Sequence, residues 1–241
     1  MAGTVNQSLP GKVDGCLAAP MPWLFGLRCM VCGEPGADRR DLCSACHAAL
    51  PWQGPACGRC ALPLPQPGQC GQCLQAPPPL GDVHAVFNYA FPLDRLLPRL
   101  KFHRDFAAGR VLAQCMAERL ARLPHPDALV PIPLHRARLR DRGYDQTLEL
   151  ARPLARGLGI PLLEHALARR KSTRAQSRLD ADARQRNLRD AFHVDPRLGQ
   201  ARHVVLVDDV MTTGATLHAA ARALHRVGVQ RVDAWVCARV A

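Results

Sequence analysis

The sequence predicts an α/β fold in which a parallel sheet is flanked by helices and preceded by a small cysteine-rich module. Three observations support this prediction. Along residues 83–240, stretches of strand character alternate with stretches of helical period. The stretch HVVLV at 203–207 is continuously apolar, as expected of a central parallel strand that is buried on both faces. Eight of the eleven cysteines lie within residues 29–73, in four CxxC pairs.

The cysteine pairs predict a double zinc ribbon. A two-residue gap turns both sulfurs inward on a tight knuckle, and two knuckles together form a tetrahedral thiolate site for Zn²⁺. A disulfide framework is typical of small secreted domains, and a redox CxxC would explain only one pair. The pairs are separated by ten, ten and nine residues, and two structural zinc ions are expected. Sequential and cross-braced pairing both remain open for the eight ligands, which are Cys29, Cys32, Cys43, Cys46, Cys57, Cys60, Cys70 and Cys73.

The elements of the larger domain follow from periodicity and from helix-capping residues. Asp105 is a plausible N-terminal cap, Pro153 is expected near the first turn of its helix, and Gly228 closes the helix before it. The predicted strands are 83–90, 128–134, 191–195, 203–209 and 231–240. The predicted helices are 105–123, 146–159 and 216–228.

Three regions are expected along the 241 residues: an apolar lead-in at 1–28, the double zinc ribbon at 29–76 and the larger domain at 81–241. The proline-rich APPPL at 76–80 marks the joint. The apolar stretch 16–27 is too short to span a bilayer, contains two prolines and lacks a strongly basic flank. We therefore expect a cytoplasmic protein without membrane insertion.

Three cysteines lie outside the pairs. Cys115 and Cys237 lie in apolar contexts and are expected to be packing residues, whereas Cys16 has no assigned role.

The positive charge is concentrated in the middle of the chain. The formal net charge is +12, and residues 134–190 contain 14 basic and 7 acidic residues. Only three of the 32 basic residues are lysines. Arginine forks match the geometry of phosphate, so this segment is a candidate anion site. A solvated, arginine-biased surface explains the composition equally well.

The stretch VVLVDDVMTTGAT at 204–216 predicts a ligand site. Asp208 and Asp209 end a buried strand, and ligands of parallel sheets bind at the carboxyl ends of the strands. The following MTTGAT leads into a helix whose N-terminus offers free N–H groups to an anion. A sugar phosphate matches both halves of such a site. A solvated aspartate pair beside an ordinary threonine cap is the alternative.

This stretch resembles the phosphoribosyl pyrophosphate (PRPP) signature of type I phosphoribosyltransferases. The resemblance implies that Asp208 and Asp209, the candidate catalytic residues, contact the ribose hydroxyls with Mg²⁺ nearby. It also implies a 5′-phosphate site formed by Met211, Thr212, Thr213, Gly214, Ala215 and Thr216.

The whole chain resembles the ComF family of competence proteins. Besides the cysteine pairs, the likeness depends on LLPRLKFHRD (96–105), VPIPLHRARLRDRGYDQ (130–146) and the segment 169–192. The arginines after VPIPLH are expected to hold pyrophosphate, and Gly143 permits close backbone approach. The candidates are Arg140, Arg142, Gly143 and Lys101. Segment 169–187 resembles the loop that closes over PRPP, with family-pattern residues Thr173, Gln176, Arg184 and Asn187; a merely flexible basic loop is the alternative.

One position departs from the family pattern. The family usually has asparagine where this chain has Asp145, so we expect this carboxylate to contact a metal or a base-like acceptor rather than phosphate.

The resemblance implies three alternative functions. The first is a PRPP-dependent transferase acting in DNA uptake with the competence machinery, in which the ribbons and the basic segment contact single-stranded DNA and Trp52 is the most suggestive stacking residue. The second is a salvage phosphoribosyltransferase for a nucleobase or an amine. The third is a nucleotide sensor without turnover. The acceptor, the occurrence of turnover and the oligomeric state are not determined by the sequence.

Overall fold

The computed structural model describes residues 26–169 and 191–241, and it divides the chain into two compact units between Cys46 and His47. The smaller unit contains the first two CxxC pairs. The larger unit contains the other two pairs and every described strand, so the expected joint at 76–80 lies inside it. In the described ranges, no helix combines the length and the apolar character needed to cross a membrane. Predicted features outside these ranges are the lead-in up to residue 25, Cys16, Thr173, Gln176, Arg184 and Asn187.

Four of the six described strands form one parallel sheet, in the order β1-β6-β5-β2. The strands are β1 (Val83–Asn88), β2 (Ala128–Pro131), β3 (Leu167–Arg169), β4 (Phe192–Val194), β5 (His203–Met211) and β6 (Arg231–Arg239). The central strand β5 is flanked by β6 and β2 and is buried over Val204–Val207. This confirms the predicted parallel sheet with HVVLV at its centre.

Seven helices lie in the described ranges. They are α1 (Ser44–Ala48), α2 (Gly71–Gln75), α3 (Leu93–Phe102), α4 (Phe106–Leu120), α5 (Arg136–Arg142), α6 (Gln146–Leu158) and α7 (Ala215–Arg226). Helices α4 and α6 pack together, and α4 contacts β1 and β6 while α6 contacts β5 and β2. Asp105 caps α4 as predicted, because its side chain accepts from the N–H of Ala108 at 3.1 Å. Cys115 in α4 and Cys237 in β6 are fully buried, as expected of packing residues.

The core beneath α7 joins three parts of the larger unit. Leu217 and Leu224 of α7 belong to the same buried cluster as Val204 and Leu206 of β5. Ala61, which lies between the two cysteine pairs of this unit, is in that cluster as well. The second pair of knuckles is therefore continuous with the core of the sheet.

Two predictions about elements are wrong. The stretch AFHVD was expected in the main sheet, but β4 pairs antiparallel with β3 in a separate two-stranded sheet. Only three residues of each strand pair, so the stretch is too short for its alternation to identify its partner. Pro153 lies in the middle of α6 rather than near its first turn.

A buried carboxylate joins three strands at the amino end of the sheet. Asp233 is 5% exposed and accepts hydrogen bonds from Arg231 Nε at 2.9 Å, from the N–H of Asp82 at 2.8 Å and from His203 Nε2 at 2.8 Å. Burial alone would raise the pKa of Asp233, but the hydrogen bonds from these three partners outweigh it and lower the pKa. This end of the sheet is therefore held by a satisfied ionic network.

Candidate functional site

Asp208 and Asp209 are the sixth and seventh residues of the nine-residue strand β5. The strand continues to Met211, so the acids do not end it as the sequence suggested. Asp209 is 6% exposed, and Asp208 is partly buried. The backbone N–H of Asp209 donates to Oδ1 of Asp208 at 2.9 Å. The two carboxylates therefore lie next to each other near the carboxyl end of the sheet.

Two side chains from separate helices converge on Asp209. Lys101, in the last turn of α3, places Nζ 3.1 Å from Oδ2 of Asp209. Gln146, the first residue of α6, points Nε2 at the same oxygen at 3.4 Å. Lys101 thus forms a direct ion pair with one acid of the pair.

The negative charge of Asp208 is unfavourable beside Asp209. Burial raises the pKa of Asp208 well above the usual aspartate value, and the negative charge of Asp209 raises it further. The charge of Lys101 acts in the opposite direction but does not cancel these effects. A bound cation or a group that donates hydrogen bonds would relieve the strain, so the pair suits a polyhydroxyl ligand or a metal ion.

The loop after β5 leads directly into the N-terminus of α7. Gly214 precedes α7 with φ +75°, and it gives the helix no side-chain cap. Oγ1 of Thr213 accepts from the N–H of Ala215 at 3.4 Å, and Thr212 and Thr213 are exposed. The first amides of a helix carry partial positive charge, which favours an anion here.

Two residues limit what this loop can do. A Cβ added at Gly214 would lie 2.6 Å from Cε of Met211 and 3.1 Å from Nε2 of His218, so the loop requires glycine both for its φ and for space. Met211 is 2% exposed, and its carbonyl accepts from the N–H of Val240 at 3.0 Å. Met211 therefore has its side chain in the core, and its contribution to a ligand site is confined to the backbone.

The predicted pyrophosphate residues occupy different positions around α5. Arg142 donates from Nη1 to Oε1 of Gln146, which links it indirectly to Asp209. Gly143 ends α5 with φ +81° and lies against Arg104, whose Nη2 would be 2.8 Å from an added Cβ. Arg140 is exposed on α5. The structure thus brings Lys101, Gln146 and Arg142 together beside the acids, with Arg140 further along the helix surface.

Asp145 has a structural role. Its Oδ1 accepts from the N–H groups of Thr147 at 3.0 Å and Leu148 at 3.3 Å, which caps α6. Its Oδ2 accepts from the N–H of Leu134 at 2.8 Å. Both oxygens are therefore engaged with backbone N–H groups.

The sequence did not identify Gln146 and Arg169 as site residues. Gln146 is 3% exposed, and the signal for it in the sequence is its position at the start of the predicted helix 146–159, directly after Asp145. Arg169 ends β3 with its guanidinium carbon 5.6 Å from the centre of the Phe192 ring. Burial lowers the pKa of Arg169, the charge of Arg138 lowers it further, and the charge of Asp208 opposes both effects. It is therefore a further cation near the acid pair.

The eight paired cysteines form two clusters, in each of which the four sulfurs lie within 4.8 Å of one another. The clusters are wired sequentially: Cys29, Cys32, Cys43 and Cys46, then Cys57, Cys60, Cys70 and Cys73. The Sγ atoms of Cys32 and Cys43 are 3.7 Å apart, as are those of Cys60 and Cys70. Tetrahedral bonds of about 2.3 Å from zinc to sulfur separate neighbouring sulfurs by about 3.8 Å. The geometry therefore fits one zinc ion in each cluster.

The acidity of the thiols supports this fit. Burial would raise the pKa of Cys29 and Cys57, but hydrogen bonds from backbone N–H groups lower it to about 6 in both. Burial raises the pKa of Cys46 and Cys73, and the neighbouring cysteines raise it further. Four thiolates in one cluster repel each other, and a divalent cation removes the repulsion.

The second cluster is hydrogen-bonded to the sheet. The carbonyl of Gly58 accepts from the N–H of Val83 at 2.8 Å, and the carbonyl of Cys60 accepts from Nε of Arg239 at 3.0 Å. Val83 begins β1 and Arg239 ends β6. The knuckle between Cys57 and Cys60 therefore contacts both the first and the last strand of the sheet.

Two protein families match the chain. Residues 21–74 match the double zinc ribbon domain, and residues 145–241 match the phosphoribosyl transferase domain. The first match covers both cysteine clusters. The second covers the acid pair, the loop after β5, Asp145 and Gln146.

Curated relatives are similar over most of the chain. Competence protein F of Haemophilus influenzae is 36% identical over 225 residues, which are 89% of this chain and 98% of that protein. DNA utilization protein YhgH of Escherichia coli strain K12 is 36% identical over 219 residues, with 88% and 96% covered. Competence protein ComFC of Bacillus subtilis is 27% identical over 197 residues, with 78% and 79% covered.

Proposed function

The chain belongs to the competence protein F (ComF) family, as its motifs predicted, and from this membership we propose that it is a PRPP-dependent phosphoribosyltransferase acting in DNA uptake. The relatives are named for competence and DNA utilization, which supports the cellular role. The phosphoribosyl transferase domain supports a ribose phosphate as the ligand. The cysteines support a cytoplasmic location, because zinc thiolates persist in a reducing compartment.

The observation that carries the proposal is the acid pair beside the N-terminus of α7. The raised pKa of Asp208 favours a ligand that supplies hydroxyl donors or a cation to the carboxylates. Two residues away from the acids, the loop that ends at Gly214 offers amides to a phosphate. PRPP carries ribose hydroxyls and a 5′-phosphate at a spacing that a single strand end and the following loop can bind.

The proposed reaction breaks the bond between C1 of the ribose and the pyrophosphate oxygen, and forms a bond from C1 to an acceptor nucleophile. Positive charge develops on the sugar, and Asp208 and Asp209 would stabilise it. Arg142 and Lys101 would stabilise the departing pyrophosphate. Mg²⁺ prefers carboxylate and phosphate oxygens, and it would neutralise part of the pyrophosphate charge when bound with the substrate.

Isothermal titration with PRPP and Mg²⁺ tests binding. We expect the wild-type protein to bind, and the variant with Asp208→Asn and Asp209→Asn to bind at least about tenfold more weakly, because charge-assisted hydrogen bonds are lost. Asp82→Asn is the matched control, since it removes an exposed carboxylate at the opposite end of the sheet. Equal affinity of all three proteins would exclude the proposed site.

Two further measurements test turnover and the DNA role. Release of pyrophosphate across a panel of nucleobases and amines identifies an enzyme and its acceptor class, whereas binding without release indicates a sensor. A gel shift with single-stranded DNA at increasing salt tests DNA handling, because phosphate contacts weaken steeply with ionic strength. Absence of a shift at low salt would exclude a direct DNA contact.

A further inference from the structure

Exposed aromatic side chains cluster at one place beside the acid pair. Phe102, at the end of α3, is 65% exposed, and Phe106, at the start of α4, is 47% exposed. The Phe106 ring meets the Tyr144 ring edge-on, with centroids 5.3 Å apart. The hydroxyl of Tyr144 donates to the carbonyl of Leu100, which fixes this ring. Phenylalanines this exposed leave apolar area in contact with water, so a ligand that covers it is expected to bind favourably.

Cations surround these rings. A cleft of about 690 Å³ is lined by Lys101, Phe102, Arg104, Arg138, Asp141, Arg142 and Tyr144. Four of the seven lining residues are basic and one is acidic. The guanidinium of Arg142 lies 5.3 Å from the centre of the Phe102 ring, and Nη2 of Arg104 donates to the Arg142 carbonyl at 3.2 Å. The aromatic surface is thus set in a positively charged groove.

This combination matches one class of ligand. Unpaired bases stack on aromatic rings while the phosphates between them contact arginines, and both interactions are available in the same groove. Duplex DNA does not present its base faces in this way. An acidic peptide would satisfy the charges but would leave the exposed rings without a flat partner.

We infer that the cleft is a binding surface for single-stranded DNA, with a base stacked on Phe102 and phosphates held by Arg104 and Arg138. The inference rests on the DNA role proposed above and assigns it to a particular surface. Lys101 and Arg142 line this cleft and are also the proposed pyrophosphate contacts, and Lys101 contacts Asp209, so the bound strand would lie directly against the proposed PRPP site.

Trp52 is less suited to stacking than the sequence suggested. Its ring lies 4.8 Å from that of Phe87 and 5.1 Å from that of His47, and its Nε1 donates to the carbonyl of His47 at 3.1 Å. The residue also forms a bridge with Phe87 of β1. These contacts give Trp52 a packing role at the edge of the sheet.

Fluorescence anisotropy with the zinc-loaded full chain tests the inference. The probes are a labelled thymidine oligomer and an abasic oligomer of the same length, which has the same phosphates but no bases. We expect Phe102→Leu to weaken binding of the thymidine oligomer by roughly fivefold or more, because one stacked base is lost. Binding of the abasic oligomer should not change, and Phe102→Trp should restore the affinity for thymidine.

Phe91→Leu is the matched control. Phe91 is 63% exposed and has the guanidinium of Arg95 6.0 Å from its ring centre, but it precedes the opposite end of α3. It does not line the cleft, so its variant should bind both oligomers like the wild type. Thermal melting of each variant checks the fold.

Each outcome decides a separate question. If Phe102→Leu binds the thymidine oligomer as tightly as the wild type, or loses affinity for both oligomers equally, the cleft is not a stacking surface. If the wild type binds neither oligomer at low salt but still binds PRPP, the DNA inference fails and the ligand proposal stands. If stacking at Phe102 is found without any PRPP binding, the transferase proposal fails and this surface remains.

Discussion

The two ends of the parallel sheet use buried aspartates in opposite ways. At the amino end, Asp233 accepts hydrogen bonds from Arg231, His203 and a backbone amide, and its pKa is lowered. At the carboxyl end, the pKa of Asp208 is raised, and Lys101 forms an ion pair with its neighbour Asp209. The first arrangement stabilises the fold as it stands. The second leaves a carboxylate in an unfavourable state that a ligand can improve.

This difference distinguishes a carboxylate whose charge the fold stabilises from one whose charge the fold leaves unfavourable. A carboxylate fully satisfied by its own chain gains little from a ligand. A carboxylate that is buried beside another acid destabilises the ligand-free protein, and a ligand that neutralises its charge removes this destabilisation. Substitutions at the two ends are therefore expected to change the melting temperature in opposite directions.

The largest effect on stability is expected from Asp233→Asn. Removal of the charge leaves Arg231 and His203 facing a neutral amide, which should cost about 2–3 kcal/mol. The melting temperature should fall by roughly 5–10 °C at neutral pH. The pKa of Asp233 is lower in the folded protein than its ordinary value of about 4. The ionised Asp233 therefore stabilises the fold fully above about pH 4, and this stabilisation is lost as the pH falls through the lower, folded-state pKa. Calorimetry across this pH range measures the difference.

Asp82→Asn is the control for this prediction. Asp82 contacts the same arginine, but its side chain is 53% exposed, so its ion pair is worth less than about 1 kcal/mol. Equal losses for the two variants, or a loss for Asp233→Asn that persists unchanged in acid, would contradict the proposed network.

Asp208→Asn should have the opposite sign. The pKa of Asp208 is raised, so its ionised form destabilises the fold at neutral pH, and asparagine keeps the oxygen that accepts from the N–H of Asp209. The variant should melt a few degrees higher at neutral pH, and this gain should vanish below the ordinary aspartate pKa of about 4, where both proteins are uncharged at this position.

Ligand addition is expected to affect the melting temperatures of the wild type and of Asp208→Asn differently. PRPP with Mg²⁺ should raise the melting temperature of the wild type, because a ligand that binds the native state stabilises it, but it should hardly change that of Asp208→Asn. A variant that melts lower than the wild type at neutral pH would show that Asp208 is a structural acid like Asp233.

The smallest effect concerns the backbone beside the acids. Gly214→Ala and Gly159→Ala both place a side chain at positive φ, which should cost each variant about 1 kcal/mol of stability, and Gly214→Ala should lose more because its Cβ also displaces Met211. A Cβ at Gly159 meets nothing within 4 Å, whereas one at Gly214 meets Met211 and His218. Gly214→Ala alone should therefore also weaken PRPP binding about tenfold, the equivalent of one hydrogen bond to a charged group. Equal PRPP affinities in titrations of the two variants would contradict a role of this loop in phosphate binding.

The sequence was sufficient to predict the central strands and the place of the acid pair. The run HVVLV is apolar without alternation, as is typical of a strand buried on both faces, and ligands of parallel sheets bind at the carboxyl ends of such strands. The two cysteine clusters were predicted for a similar reason, since their spacing is local and repeated. Local patterns of this kind require no knowledge of distant partners.

Two helices and one pairing could not be derived in the same way. Helix α5 has no buried residue, so its sequence RARLRDR contains no apolar period to detect. Helix α3 does bury Leu93, Leu96, Leu97 and Leu100, but Pro98 interrupts the pattern. The partner of β4 is β3, and the two strands pair over only three residues each, which is too short for sequence patterns to specify.

Site residues that act through distant contacts were the hardest to predict. Gln146 reaches Asp209 across 63 positions, and only the packing of α6 against β5 brings them together. Asp145 resembled a metal-contacting residue because its type departs from the family pattern, whereas its two oxygens serve two backbone segments. An asparagine at this position would offer one acceptor oxygen, whereas the second oxygen of Asp145 also accepts a hydrogen bond from a second backbone segment.

The knuckle between Cys57 and Cys60 has a consequence for how the protein matures. It contacts both β1 and β6, so a zinc ion bound in this cluster would hold together two strands that lie far apart in the sequence. A chain made without zinc would lack this connection between β1 and β6. We expect such chains to be degraded by cellular proteases, which would make the abundance of the protein depend on the zinc supply of the cell.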